Sequence, residues 1–219
     1  MYKRIGILGL CVLLGLASSL ALASPFVNNG TAPVIIAKDI NGAEVNINKL
    51  IEQEPHVVLV HFFSVTTGTE VAEKLRYLHL NYGDDRVRII ALGMKEDEAA
   101  LKQFAEALDI RYFIIDTNSL ENPDWLNEVD VLPMTLFVHP SKDLLIERVI
   151  RGGGKSKAEV LKQLAETLFR KKQDPEMALQ VASEAAKEAP EAAELSGYIL
   201  TSQGKLDEAE KEFAQLDSK

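Results

Sequence analysis

Val57-Val58-Leu59-Val60-His61-Phe62-Phe63-Ser64-Val65-Thr66-Thr67-Gly68-Thr69-Glu70 sets a run of seven residues, apolar except for His61, directly against a turn and a helix start. A run of that length, rich in Val and Phe, reads as a strand buried on both faces. The spacing then changes. From Thr69, Val71, Leu75 and Leu78 recur at helical intervals to about Tyr82, and Gly83 ends them. Thr67 followed by Glu70 has the form of a capping box, in which both side chains satisfy the first helical N–H groups. The N–H groups of Thr67, Gly68 and Thr69 at such a start are also able to hold an anion or a carboxylate.

Upstream, Ala32 to Ala37 is a short apolar run, Asp39-Ile40-Asn41-Gly42 supplies turn chemistry, and Glu44 to Ile47 alternates, which predicts a β-hairpin. Downstream, Arg86–Met94, Tyr112–Asp116, Met134–Val138 and Leu144–Ile150 read as strands. Asp97–Leu108 reads as a helix through Leu101, Phe104, Ala105 and Leu108, with the acidic Glu96-Asp97-Glu98 at its start. Gly152-Gly153-Gly154 breaks the chain before a further helix from about Ser156; it lacks the Lys-Ser/Thr ending of a phosphate-binding loop. Strands alternating with helices predict an α/β sandwich, in three layers, around a mixed sheet.

Composition narrows function by exclusion. The chain is 47% hydrophobic and 26% charged, as folded proteins are, and its net charge of −9 disfavours nucleic acid and anionic lipid as partners. Lys3 and Arg4, an apolar run from Ile5 to about Leu16, and Ala21-Leu22-Ala23 before Ser24 have the form of a cleavable secretory signal. The run is short for a spanning helix, so no membrane span is expected after cleavage. Cleavage would remove the only cysteine, Cys11, leaving a periplasmic or extracellular chain without a thiol. The expected organisation is a signal peptide at 1–23, a disordered linker at 24–31, the α/β domain at 32–172 and helical repeats at 173–219.

Residues from about Ala32 to Lys171 resemble the TlpA-like thioredoxins, an exported group related to the cytochrome-c-maturation reductases and the peroxiredoxins. The resemblance rests on Ala32-Pro33 before the Asp39–Gly42 turn, on Leu59-Val60-His61-Phe62-Phe63-Ser64, on Val131-Leu132-Pro133-Met134-Thr135-Leu136-Phe137-Val138, and on the order of the elements between them. It implies a thioredoxin-like fold, a cis Pro133 opposite the helix start, and a peptide groove at Thr67, Leu132, Pro133 and Met134. It also implies a Cys-x-x-Cys, and here the chain departs: Thr67 and Glu70 stand at the two cysteine positions. Thiol–disulfide exchange needs a low-pKa thiolate at the helix N-terminus. The Thr67 hydroxyl stays protonated and Glu70 cannot resolve a mixed disulfide, so no catalytic residue and no cofactor are expected.

Pairing Thr67 against Pro133 predicts a register in which His61 falls near His139; no third ligand is spaced to complete a metal site, and none is expected. His56 and His79 read as solvated, and Trp125 and Tyr112 as core or rim aromatics. Beyond Asp174-Pro175 the chain turns alanine-rich. Ala178, Ala185 and Pro190 match the second helix of a tetratricopeptide repeat, and Gly204, Ala209 and Phe213 match its turn, small residue and aromatic, with Gly197 suiting its first helix. Ala178 and Ala209 lie 31 residues apart, against about 34 for a full repeat. Ala178, Ala182, Ala185, Gly197, Gly204, Ala209 and Phe213 are therefore the expected partner-binding residues, with Ala182, Ala186 and Ala193 read as exposed.

Two functions are open to such a chain. One is an adaptor or scaffold that binds another envelope protein or complex, or a second copy of itself, through the helical tail. The other is a holdase-like peptide binder using the groove beside Pro133. A non-redox enzyme using the Thr67 hydroxyl as a hydrogen-bond donor has no visible general base.

Overall fold

The computed structural model describes residues 26–83, 86–120, 123–152, 157–171, 174–214 and 216. The predicted leader and Cys11 lie outside the described residues. Strands β1 (Ile36–Lys38) and β2 (Glu44–Asn46) form the expected antiparallel hairpin, and Asn46 caps the short helix α1 (Ile47–Ile51) that follows. Then come β3 (Val57–Phe63), α2 (Thr69–Tyr82), β4 (Val87–Gly93), α3 (Glu98–Ala107), β5 (Phe113–Asp116), β6 (Met134–Val138) and β7 (Ile146–Arg151). Among the described residues four α-helices follow: α4 (Lys157–Lys171), α5 (Pro175–Glu188), α6 (Ala193–Ser202) and α7 (Leu206–Ala214).

The main sheet has the order β5-β4-β3-β6-β7. β3, β4 and β5 run parallel, while β6 is antiparallel to both β3 and β7. All seven residues of β3 are buried because the strand is central and covered on both faces. On one face Leu59 and Phe63 pack beneath Leu75 and Leu78 of α2 and Leu164 and Leu168 of α4. On the other, Val58, Val60 and Phe62 pack beneath the hairpin, α1 and a 3-10 segment carrying Trp125. This is the mixed three-layer sandwich that the alternation predicts.

Two expectations change. Residues 26–31 are not a loose linker. Asn29 donates its N–H to the Ile146 carbonyl at 2.7 Å, Ile146 donates back to Gly30 at 2.8 Å, and Thr31 bridges Leu145. Phe26 is buried and stacks on Phe62 at 5.5 Å, and Arg151 reaches the Phe26 carbonyl. The segment covers the outer edge of β7, which would otherwise present unpaired backbone groups. Polar composition hid this, because Asn28, Asn29 and Gly30 serve there through backbone and side-chain hydrogen bonds rather than burial.

The helical tail is also not a separate body. Leu161, Leu164, Ala165 and Leu168 of α4, Ala178, Val181, Ala182 and Ala185 of α5, and Ile199 of α6 belong to the same apolar cluster as Leu59, Phe63 and Leu75. α4 packs against α2 as well as α5, and α5, α6 and α7 follow as successive neighbours.

Phe26 makes the edge cover measurable. Phe26→Ala is expected to cost about 3 kcal/mol of unfolding free energy, the usual loss for a buried Phe. A urea titration reads this directly; a loss under about 1 kcal/mol would mean that residues 26–31 do not hold the β7 edge.

Candidate functional site

The turn between β3 and α2 is built by close approach. A Cβ on Gly68 would stand 2.7 Å from the Phe63 ring and 2.8 Å from the Ser64 carbonyl oxygen, so the chain folds back on the strand end only with glycine there. Ser64 Oγ shares hydrogen bonds of 2.9 Å with both Thr66 Oγ1 and Thr67 Oγ1, and the Ser64 carbonyl accepts from the Thr67 N–H at 3.2 Å. The hydroxyls thus bind one another across an exposed turn.

This arrangement replaces the capping box that the Thr67/Glu70 spacing predicts. α2 begins one residue later, Gly68 is its N-cap, and no side chain caps it. Glu70 turns along the helix to Lys74, an i,i+4 ion pair. With Gly68 held against Phe63, Thr67 lies outside the helix, bonded back to Ser64.

Glu96 fixes the same turn from the neighbouring strand end. Its carboxylate accepts the Val65 N–H at 2.9 Å, and its own carbonyl accepts from Asn118 Nδ2 at 2.7 Å. Sequence reading places Glu96 at a helix start, yet Asp97 is the cap of α3, accepting from the Ala100 N–H, and leaves Glu96 free for the turn. The available signal is topological: β3 and β4 are parallel neighbours, so the loops after both lie at one end of the sheet, joined by the Met94 N–H to the Phe63 carbonyl.

Beneath the turn lies His61, buried, its Nδ1 sharing a 2.9 Å hydrogen bond with Thr135 Oγ1 and its ring stacked on Phe63. The predicted His61–His139 pair is not formed. The register sets His61 opposite Thr135 and Val58 opposite Val138, which carries His139 to the far end of β3. Burial pushes the His61 pKa down to about 3, only partly opposed by a hydrogen bond with the Met134 backbone, so the ring is neutral. His79 is half-buried edge-on to Tyr112 rather than solvated, and His56 is half-buried as well. No group of three or more His, Cys, Asp or Glu among the described residues is placed to hold a metal.

The Leu132–Pro133 peptide bond is cis. Pro133 is buried, and its carbonyl accepts from Gly152 N–H at 2.8 Å. Met134 is wholly buried under the hairpin face and offers no side-chain contact to a groove, whereas Val131 is exposed, Leu132 half-buried and Thr67 exposed. In the tail, Ala178, Ala182, Ala185, Ala193, Gly197 and Ala209 are buried within the helices, so they are not the exposed partner face that their small size suggests. A Cβ on Gly197 would meet the Phe213 ring at 2.5 Å, so the glycine lets α6 and α7 close on each other. Gly204, exposed at a φ of +77°, makes the turn between them. Among the described residues of the tail, the large apolar side chains left exposed are Tyr198, edge-on to the half-buried Phe213, and Leu206.

No family model matches the chain, and no curated protein matches it in sequence. Solved structures do. A protein assigned as the thiol:disulfide interchange protein DsbE of Chlorobium tepidum superposes with a TM-score of 0.53 at 14% identity, covering 65% of this chain and 98% of that one. The peroxidoxin BcpB of Mycobacterium tuberculosis gives 0.52 at 17% identity, covering 64% and 95%. At that identity the likeness establishes the thioredoxin-like fold. Unlike a Cys-x-x-Cys protein, this chain has a single cysteine, at position 11.

His61 gives the site a pH signature. Its folded pKa lies below the unfolded value of 6.5, so the unfolded state takes up the extra proton and stability falls as pH drops from about 6.5 toward 3. The expected slope is about 1.4 kcal/mol per pH unit beyond that of His61→Asn, which keeps an amide near Nδ1 but does not titrate. Parallel denaturant titrations of the two proteins between pH 7 and 4 check it; identical slopes would place a charged His61 in the fold.

Proposed function

We propose that the protein is an exported, redox-inactive adaptor or scaffold of the cell envelope. The rigid thioredoxin-like body would carry a partner-binding face on its C-terminal helices. The observation that carries this reading is the site at the start of α2. Hydroxyls bonded to one another and a Glu70 paired along its own helix stand where the fold's relatives need two sulfurs. Such a site offers no group that is able to accept and release electrons.

The predicted leader supports export, and no helix among the described residues is long and apolar enough to cross a membrane. We read α4–α5 and α6–α7 as two tetratricopeptide-like helix pairs, supported by the small residues at their contacts and by Gly197 against Phe213. Since the alanines are buried, the partner face is assigned instead to Tyr198 and Leu206, exposed at 55% and 64%. Residues 174–219 hold eleven Asp and Glu against four Lys, so the partner surface is expected to be basic. The holdase reading keeps one observation, the cis Leu132–Pro133 bond, which exposed Val131 precedes in the chain.

Two measurements test these readings. The protein should not accelerate reduction of insulin by dithiothreitol, whereas Thr67→Cys with Glu70→Cys should, because the helix start and Pro133 remain in place; activity of the unaltered protein would overturn the redox-inactive reading. In-cell cross-linking should capture a dominant partner that is lost with Tyr198→Ala plus Leu206→Ser and retained with Val131→Ser. Loss with Val131→Ser alone would favour the groove.

A further inference from the structure

One strand edge is left open beside a cleft. Within the hairpin, the Ile47 N–H donates to the Ile35 carbonyl and the Asp39 N–H to the Ala43 carbonyl. Antiparallel alternation therefore points the backbone groups of residues 35, 37 and 39 at β2, and those of Val34, Ile36 and Lys38 the other way. At the next outward position, Ile40 donates its N–H to the Ile114 carbonyl of β5 at 2.9 Å. The pairing then stops. β1 diverges from the chain that follows β5, and the outward groups of Val34, Ile36 and Lys38 meet no hydrogen-bond partner among the described residues.

The space so opened is a cleft of about 730 Å³, with β1 and α1 on one side and Leu120 and Trp125 on the other. That size lies within the range of ligand sites. Trp125 is held by edge contacts to Phe26 and Phe62, so this wall is rigid. Val34 and Ile36 stand 53% and 65% exposed, and β1 itself holds no proline, Pro33 lying ahead of it. An edge both apolar and unpaired is normally blunted by charge, proline or a covering segment, as residues 26–31 cover β7. Among the described residues, Lys38 and Lys49 also line the cleft without an ion pair, and Glu44 is the only carboxylate that lines it with them.

We propose that the β1 edge binds an extended peptide segment of alternating apolar and acidic residues by strand addition. The incoming strand continues the ladder begun at Ile40–Ile114 and places its apolar side chains on the face of Ala37, toward Leu120 and Trp125. Its carboxylates fall on the opposite face, which they share with Lys38, and Lys49, also lining the cleft, adds a second positive charge. Backbone hydrogen bonds hold it, and alternate side chains select it. The surface is distinct from both the Pro133 groove and the helical tail.

Trp125 is the only tryptophan, so its fluorescence reports occupancy. The full-length protein is titrated with acetyl-Val-Asp-Val-Asp-Val-amide, with the same peptide carrying Lys for Asp, and with an acidic peptide N-methylated at alternate residues. A saturable Trp125 change is expected for the first and at least tenfold weaker binding for the other two. Ile36→Pro removes an outward N–H while sparing the ladder to β2, and should weaken the acidic peptide at least tenfold. Lys38→Glu with Lys49→Glu should invert the preference toward the Lys peptide, and decides the matter should Ile36→Pro fail to fold. No saturable change, equal binding of the acidic and basic peptides, or a dimer that Ile36→Pro dissolves, which would make a second copy the occupant, each overturns the proposal.

Discussion

Every element that positions the site hangs on the double burial of β3. A strand with water on neither face must find all its backbone partners in its neighbours, and β4 and β6 supply them along its length. Parallel pairing with β4 brings the loop carrying Glu96 to the turn after β3. Antiparallel pairing with β6 brings Thr135 under His61 and Pro133 toward the start of α2. The turn geometry follows from the packing of Phe63, because Gly68 must close against that ring.

The turn before α2 holds no thiol and is tied by hydroxyl and carboxylate contacts, each of which satisfies a backbone or side-chain polar group. Ser64 gathers Thr66 and Thr67, Glu96 satisfies Val65, and Lys74 takes Glu70. His61 is the exception. A neutral imidazole buried under the turn, bonded to Thr135 and to the Met134 backbone, couples stability to protonation. The helices beyond α4 add to the same core: α5 brings Met177 and Val181 together with Ala178, Ala182 and Ala185, so the tail shares the body's apolar cluster.

Much of this was legible in the linear order of residues. The run Val57–Phe63, the Asp39–Gly42 turn and the spacing of Val71, Leu75 and Leu78 are local patterns, and local patterns report burial period directly. The alanines of α5 were legible as close-packing residues but not as to what they pack on, since a small residue admits an internal helix and an external one equally. The Thr67/Glu70 capping box failed because a three-residue spacing cannot register that Gly68 is held against Phe63. The His61–His139 pair failed by register, since the ladder runs from Phe62–Met134 to Val58–Val138 and leaves His139 beyond its end.

By itself the sequence determined most of the secondary elements and their order, though not the helix α1, together with the burial of Val57–Phe63 and the absence of sulfur from the start of α2. Those properties depend on composition and on residues a few positions apart. Tertiary structure alone decided that Glu96 holds the turn, that Phe26 and Asn29 close one sheet edge, that the tail joins the main core and that the β1 edge stays open beside Trp125. Each of these depends on contacts between residues tens of positions apart, set by which strands lie side by side and where their pairing ends.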